Sequence, residues 1–197
     1  VIASESLKGV VYFEIGHQNW GKSSDGASLG TDGKQVKVRY SYVDWAIPQT
    51  DAKVRMGLQK YTLPNFTGIG SPILDADGAG ITITHQFTEN VAASLFWLRA
   101  ENDNDPDMAE HDAHDAMDFI GLTVPLTFDG VKVTPWAMVG MIGRDSLDTD
   151  KDAISQKGGL IPIQADISPD ALKDRHNTAW WVGVASELTY FDPFRIA

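Results

Sequence analysis

The chain has 197 residues, of which 43% are hydrophobic and 22% charged, and its formal net charge is −11 at pH 7. No stretch approaches the roughly 18 uninterrupted apolar residues that a membrane-spanning helix needs, so a helical membrane protein is excluded. The acidic balance speaks against a nucleic-acid partner, because phosphate binding requires clustered Lys and Arg. The absence of cysteine excludes disulfides, zinc–thiolate sites and thiol nucleophiles.

Alternation of apolar and polar residues with a period of two runs through most of the chain and predicts β-strands. The segments that carry it are, in chain order, VVYFEIGHQ (10–18), QVKVRYSYVDW (35–45), KVRMGLQ (53–59), GITITHQF (80–87), VAASLFWLRA (91–100), MDFIGLTVPLTF (117–128), VKVTPWAMVGMIG (131–143) and TAWWVGVASELTYF (178–191). These are eight full strands, to which we add a stub at each end. Helical spacing is nearly absent, so the sequence predicts an all-β fold.

Alternation also predicts which side chains share a face of each strand. In the third segment, Val54, Met56 and Leu58 lie opposite Lys53 and Arg55. In the second segment, the same argument places Val36, Val38, Tyr40 and Tyr42 on the apolar side, and Lys37, Arg39 and Ser41 on the polar side. Asp44 has the parity of Tyr42, so either a bulge shifts the register or Asp44 lies at a rim of the sheet beside Trp45, where we expect it. Segments 91–100 and 131–143 are apolar on both faces, so their orientation stays open.

Short and long connections alternate strictly along the chain. The short ones carry turn residues and lie near 5–9, 47–52, 88–90, 129–130 and 192–193. The long ones are polar and rich in Gly and Asp, and they cover 17–34, 62–79, 101–115 and 144–177. This order is typical of an outer-membrane barrel, which has tight turns on one rim and long loops on the other.

Aromatic residues gather toward the ends of the segments that carry short turns. They are Tyr42, Trp45, Phe87, Phe128, Tyr190, Phe191 and Phe194. Such a girdle is expected where a membrane meets water, because an amphipathic ring is favoured there. The alternative is that these rings belong to the core of a soluble β protein.

The stretches VIASESLKGVVYFEIG, VRYSYVDWAIPQTDAKVRMGLQ and DGVKVTPWAMVG, in this order, resemble the homotrimeric outer-membrane porins of Gram-negative bacteria. The resemblance implies an antiparallel transmembrane β-barrel of about sixteen strands, integral to the outer membrane. Residues 1–197 would then be one partial barrel domain, an internal piece that begins near the end of the second strand.

The same resemblance implies a passive diffusion channel for ions and small hydrophilic solutes, with no enzymatic activity and no cofactor. The expected partners are two further copies of the chain, outer-membrane lipid and lipopolysaccharide, and the solutes themselves.

In such porins the loop after the fifth strand folds into the lumen and narrows it, and residues 62–79 occupy that place. The resemblance therefore implies a constriction in which the carboxylates of this loop oppose basic residues of the two preceding strands. The residues concerned are Asp75 and Asp77 on the loop, and Lys37, Arg39, Lys53 and Arg55 on the strands. Opposed charges across a narrow passage screen solutes by charge. The alternative is that these are lumen charges away from the narrowest point.

Two other classes of protein stay open. One is a soluble extracellular β-sandwich or lectin-like binding module. The other is an outer-membrane hydrolase barrel, for which His85 and Ser94 are the candidate base and nucleophile.

The acidic loops raise the question of calcium. The candidate ligands are Asp103, Asp105, Asp107, Asp148, Asp150 and Asp152. The segment that begins at Asp148 has Ala153 where a calcium loop needs Gly, and Gly159 where it needs Glu, so it is not an EF-hand. A solvated acidic loop is the favoured interpretation, and no metal site is predicted.

Overall fold

A computed structural model describes residues 1–15, 19–25, 28–30, 36–66, 70–101, 116–143, 177–191 and 194–196. These residues form ten strands and one 3-10 turn, Ser23–Asp25. The strands are β1 (Leu7–Glu14), β2 (Lys37–Ala46), β3 (Ala52–Thr62), β4 (Asp75–Thr88), β5 (Val91–Glu101), β6 (Met117–Thr123), β7 (Leu126–Phe128), β8 (Val131–Ile142), β9 (Asn177–Phe191) and β10 (Phe194–Ile196). No helix among the described residues is long and apolar enough to cross a membrane.

All ten strands belong to one antiparallel sheet in which neighbours in sequence are neighbours in space. The one departure is β7, which pairs with β5 and β8 and continues the line of β6. Segment 117–128 was predicted as a single strand, but the structure divides it at Pro125, which has no N–H to donate to the ladder. The prediction of an antiparallel all-β fold is confirmed. A β-sandwich needs two sheets, whereas the described strands form one.

The strand bounds separate two ends of the sheet. The strand ends that flank the short connections 47–51, 89–90, 129–130 and 192–193 lie at one end, which we call the turn end. The strand ends that flank the long connections 15–36, 63–74, 102–116 and 143–176 lie at the other end, which we call the loop end. Gly130 has a φ of 69° in the turn between β7 and β8, a conformation that a tight hairpin turn requires and glycine adopts without strain.

One face of the sheet is apolar across seven strands, β2 to β6, β8 and β9. Residues directly opposite on neighbouring strands share a face, so the register defines rows of side chains. One row is Trp45, Val54, Ile83, Leu95, Leu122, Ala137 and Val182. The next row is Val43, Met56, Ile81, Trp97, Ile120, Val139 and Trp180. We call this the apolar face, and its larger side chains are mostly exposed, up to 79% for Val182.

The opposite face, which we call the mixed face, has two halves of different character. On β1 to β4 it carries charged and polar side chains, and we call this part the polar half. On β5 to β9 it is largely buried and apolar, apart from the ion pair Lys132–Glu187 near the turn end, and we call this part the packed half. The buried cluster comprises Tyr61, Leu63, Leu74, Phe96, Leu98, Met117, Phe119, Met138, Ile142 and Trp181.

The connection 63–74 takes part in this burial. Leu63 is 1% exposed and Leu74 3% exposed, and both belong to the same cluster as Phe119, which is fully buried. The Leu63 N–H donates to the Leu74 carbonyl and so extends the β3–β4 hairpin by one rung. The apolar residues at the two ends of this connection therefore hold it against the mixed face.

Glycines allow large side chains to lie flat across neighbouring strands of the mixed face. A Cβ added at any of five glycines would collide with such a side chain. The pairs are Gly78 with Leu98, Gly80 with Tyr61, Gly121 with Phe96, Gly140 with Phe119, and Gly183 with Trp136. Covering a strand glycine with a large neighbour recovers the packing that glycine lacks and gives the sheet room to curve.

Candidate functional site

The polar half of the mixed face centres on an ion pair between β2 and β3. Their register sets Asp44 directly opposite Arg55. Arg55 donates from Nε to Asp44 Oδ1 at 2.6 Å and from Nη2 to Oδ2 at 2.9 Å, a bidentate arrangement. Its guanidinium also lies 4.2 Å from the centroid of the Tyr42 ring. The Lys8 Nζ on β1 is 3.7 Å from the same carboxylate, so one aspartate serves two cations.

Uncharged polar groups extend this surface toward β4 and β5. Gln59 is almost fully buried and donates from Nε2 to the Gly80 carbonyl at 3.2 Å. The Thr82 hydroxyl donates to Gln59 Oε1 at 3.3 Å. Farther toward the turn end, the hydroxyls of Thr84 and Ser94 are 2.8 Å apart. Buried polar groups whose hydrogen bonds are satisfied in this way make the polar half rigid.

Lys53 differs from Arg39 and Arg55, the two predicted arginines of this surface, which both contact carboxylates. It lies on β3 opposite Thr84, with the same parity as Arg55. Its side chain is exposed, and in the part of the chain that the structure describes no carboxylate oxygen lies within 4.0 Å of its amino group. An open cavity of about 870 Å³ lies over the polar half and is lined in part by Lys8, Lys53 and Arg55.

The acidic residues expected on the constriction loop lie on a strand. The structure ends β3 at Thr62 and begins β4 at Asp75, so the connection comprises residues 63–74 rather than 62–79. Asp75 and Asp77 both lie on β4; Asp75 contacts a cation on the neighbouring β3, and Asp77 contacts one on β2, two strands away. Lys60 Nζ is 2.7 Å from Asp75 Oδ1, and Arg39 Nε donates to Asp77 Oδ2 at 3.0 Å.

The predicted alternation of β2 is wrong for Tyr42 and Asp44. Both were expected on the side of Val38, but the register places them opposite Gly57 and Arg55, on the mixed face. The reason is a bulge: Tyr12 pairs with Tyr40 and Phe13 with Val38, so Arg39 is the extra residue. A bulge shifts the alternation of the residues on either side of it.

The bulge also decides where Lys37 and Arg39 lie. Lys37 pairs with Glu14, which has the parity of Lys8, so Lys37 stays on the mixed face near the loop end. Arg39 contacts Glu14 at 3.6 Å as well as Asp77. The structure thus gathers Lys53 and Arg55 around the cavity, whereas Arg39, Asp75 and Asp77 lie together toward the loop end. Asp44, the main partner of Arg55, was not among the predicted site residues.

The candidate hydrolase pair is not assembled. His85 lies opposite Ala93 and Thr84 lies opposite Ser94, so His85 and Ser94 occupy opposite faces of the sheet. The described residues contain no group of three His, Asp or Glu side chains placed to hold a metal ion. The aspartates considered for calcium, Asp103, Asp105, Asp107, Asp148, Asp150 and Asp152, lie outside the described residues.

No family model, no curated protein and no solved structure matches the chain. The chemistry available to this chain therefore follows from the geometry of its two faces. The polar half can orient and attract dissolved ions, since it combines paired charges, hydroxyl groups and two ammonium groups, Lys37 and Lys53, without a described carboxylate within 4.0 Å. The apolar face can contact only an apolar medium or an apolar partner without cost.

Proposed function

We propose that this chain forms part of the wall of a transmembrane β-barrel in a bacterial outer membrane. The barrel is a porin, a passive diffusion channel for ions and small hydrophilic solutes. The observation that carries this proposal is the apolar face, which is continuous and in register from β2 to β9.

The extent of the apolar face supports a lipid environment. Its exposed side chains amount to an apolar surface on the order of 1,000 Å², whereas soluble monomers rarely expose more than a few hundred Å² in one patch. The same face has polar groups toward its ends, as a hydrocarbon layer of fixed thickness requires. Toward the loop end, the apolar rows give way to the ion pair Arg99–Asp118, at 2.6 Å.

Aromatic side chains support the same orientation. Trp45, Phe87, Phe128 and Tyr190 lie toward the turn end, and all four are exposed. Exposed rings at the turn end of the sheet suit the interface between lipid and water. Tyr42 does not belong to this group, because its ring lies against Arg55 on the mixed face. The side chains of Phe191 and Phe194 lie outside what the structure describes.

The mixed face is the lumen side in this proposal. The polar half supplies a hydrated wall, and the connection 63–74, held by Leu63 and Leu74 against the packed half, narrows the passage beside it. Lipid cannot satisfy the backbone groups of an open sheet edge. The proposal therefore requires β1 and β10 to pair with further strands, which complete the barrel.

The first experiment asks whether the protein needs an amphiphile and conducts ions. The protein is purified in detergent, transferred to detergent-free buffer, and reconstituted in planar lipid bilayers. We expect aggregation without detergent, and ohmic conductance steps that come in threes if the porin assembles as a homotrimer. A protein that stays monodisperse without detergent, or that is folded in the bilayer and passes no ions, would contradict the proposal.

A matched pair of substitutions tests which face meets lipid. Leu95 lies on the apolar face and is 48% exposed, and its neighbour Ser94 lies on the mixed face. In lipid, Leu95→Arg should lower the free energy of unfolding by roughly 2–4 kcal/mol, the cost of a cation near the bilayer centre. Ser94→Arg should cost much less, because that side chain reaches water. Urea titrations in lipid vesicles measure both. Equal, small effects would indicate that water covers the apolar face.

A further inference from the structure

We infer that the channel favours anions and that Lys53 determines this preference. The inference rests on the proposed function, because it names the class of solute that the polar half attracts. The solutes concerned are small anions, such as chloride, carboxylates and phosphates. It depends on which cations of the wall are compensated by a carboxylate and which are not.

Most cations near the cavity have a carboxylate in contact. Arg55 binds Asp44 through two hydrogen bonds, and Lys60 Nζ lies 2.7 Å from Asp75. Such a pair acts as a dipole, whose field falls off faster with distance than that of a single charge. Lys53 is different, since no described carboxylate lies within 4.0 Å of its amino group. Its field therefore reaches farther into the cavity than that of the paired residues.

The charged residues that line the cavity have a net positive charge, as Lys53 does. Four cations line the cavity, Lys8, Lys53, Arg55 and Lys60, and so do two carboxylates, Glu5 and Asp44. With Asp75, which contacts Lys60, the surplus is one positive charge. The chain as a whole carries −11, yet charges farther away than about 8 Å are largely screened at physiological salt. A dissolved ion over the polar half therefore meets a positive surface.

The surroundings of Lys53 also suit an anion. Thr84 lies directly opposite it on β4, and the Thr84 and Ser94 hydroxyls are 2.8 Å apart. One of these two hydroxyls donates to the other, which leaves the second hydroxyl proton available to a solute oxygen. An ammonium with a hydroxyl donor nearby gives an anion both a counter-charge and a hydrogen bond. The exposure of Lys53 keeps this contact reversible, as passage through a channel requires.

The test is the reversal potential of single channels in a KCl gradient. The wild-type protein should pass chloride more readily than potassium. Lys53→Gln should lower the chloride-to-potassium permeability ratio by roughly twofold, the effect of one unit charge in water a few ångströms from the ion at physiological salt. Lys53→Glu should lower it by roughly fourfold, and Lys53→Arg should keep it.

The control is the charge-balanced double variant Lys60→Gln with Asp75→Asn, because Asp75 contacts one described cation, whereas Asp44 contacts both Arg55 and Lys8. It removes a pair without changing the net charge of the cavity, so the permeability ratio should stay near that of the wild type. A wild-type channel that prefers potassium, or a Lys53→Gln channel with an unchanged ratio, overturns the inference and leaves the channel proposal standing. Absence of conductance from folded wild-type protein overturns both. Heat-dependent gel mobility confirms that each variant is folded.

Discussion

The two halves of the mixed face show how one surface of a single sheet can have two roles. The packed half buries Phe119 and Met117 completely, whereas the polar half keeps Lys53 exposed and Arg55 half-exposed. Both halves lie on the same sheet and follow the same alternation. They differ in what covers them, since the connection 63–74 contributes Leu63 and Leu74 to the cluster of the packed half.

The two halves therefore contribute differently to stability and to contact with water. The packed half supplies the apolar burial that fixes the connection, and the polar half stays available to water and solutes. Apolar burial contributes roughly 25 cal/mol per Å², and an exposed ion pair contributes only about 0–1 kcal/mol. We therefore expect substitutions in the packed half to change stability, and substitutions in the polar half to change what passes.

The largest expected effect is in the packed half. Phe119→Ala removes a fully buried ring that covers Gly140, so the free energy of unfolding should fall by about 3–5 kcal/mol. Lys53→Ala in the polar half should change it by less than about 0.5 kcal/mol. Urea unfolding followed by tryptophan fluorescence measures both. If the two variants lose similar stability, the two halves do not differ as described.

A smaller effect is expected where the connection meets the packed half. Leu63→Ala should cost about 2–3 kcal/mol, because it opens a cavity in the buried cluster. Leu63→Met keeps the volume and should cost less than about 1.5 kcal/mol. If the connection narrows a passage, Leu63→Ala should also raise single-channel conductance, and Leu63→Met should not. Unchanged conductance with reduced stability would show that the connection is anchored but does not limit flow.

The smallest effect is expected in the polar half. Because Asp44 and Arg55 are both partly exposed, solvent screens their attraction. A double-mutant cycle with Asp44→Asn and Arg55→Gln should give a coupling energy of about 1 kcal/mol, lower at high salt. Unfolding free energies of the four proteins supply the value. A coupling of several kcal/mol would mean that the polar half also stabilises the fold.

The strands could be predicted from the sequence because period-two alternation is a local property. The register confirms the predicted face of β3, where Val54 and Met56 lie in the two rows of the apolar face. The strand break at Pro125 was missed, although proline in the interior of a sheet is a known sign of such a break.

The candidate site was harder to predict, because it depends on contacts between strands. The apolar Val43 and Trp45 are out of phase with Val36 and Val38, which is consistent with a bulge, but the sequence does not show where the extra residue lies. It is Arg39, and it reverses the predicted faces of Tyr42 and Asp44. The pairing of Asp44 with Arg55 could not be foreseen once Asp44 was placed on the wrong face. Strands β5 and β8 are apolar on both sides, and only the cluster with Leu63 shows which side is packed.

The glycines of the mixed face bear on how the strands find their partners. A slip of two residues between neighbouring strands keeps every side chain on its own face, so the apolar pattern cannot prevent it. The same slip would set Phe96 against Phe119 or Thr123 instead of Gly121. Between β6 and β8 it would set Phe119 against Met138 or Ile142 instead of Gly140. Because both large side chains lie opposite glycine only in the native alignment, these contacts favour the native register over a slip of two residues.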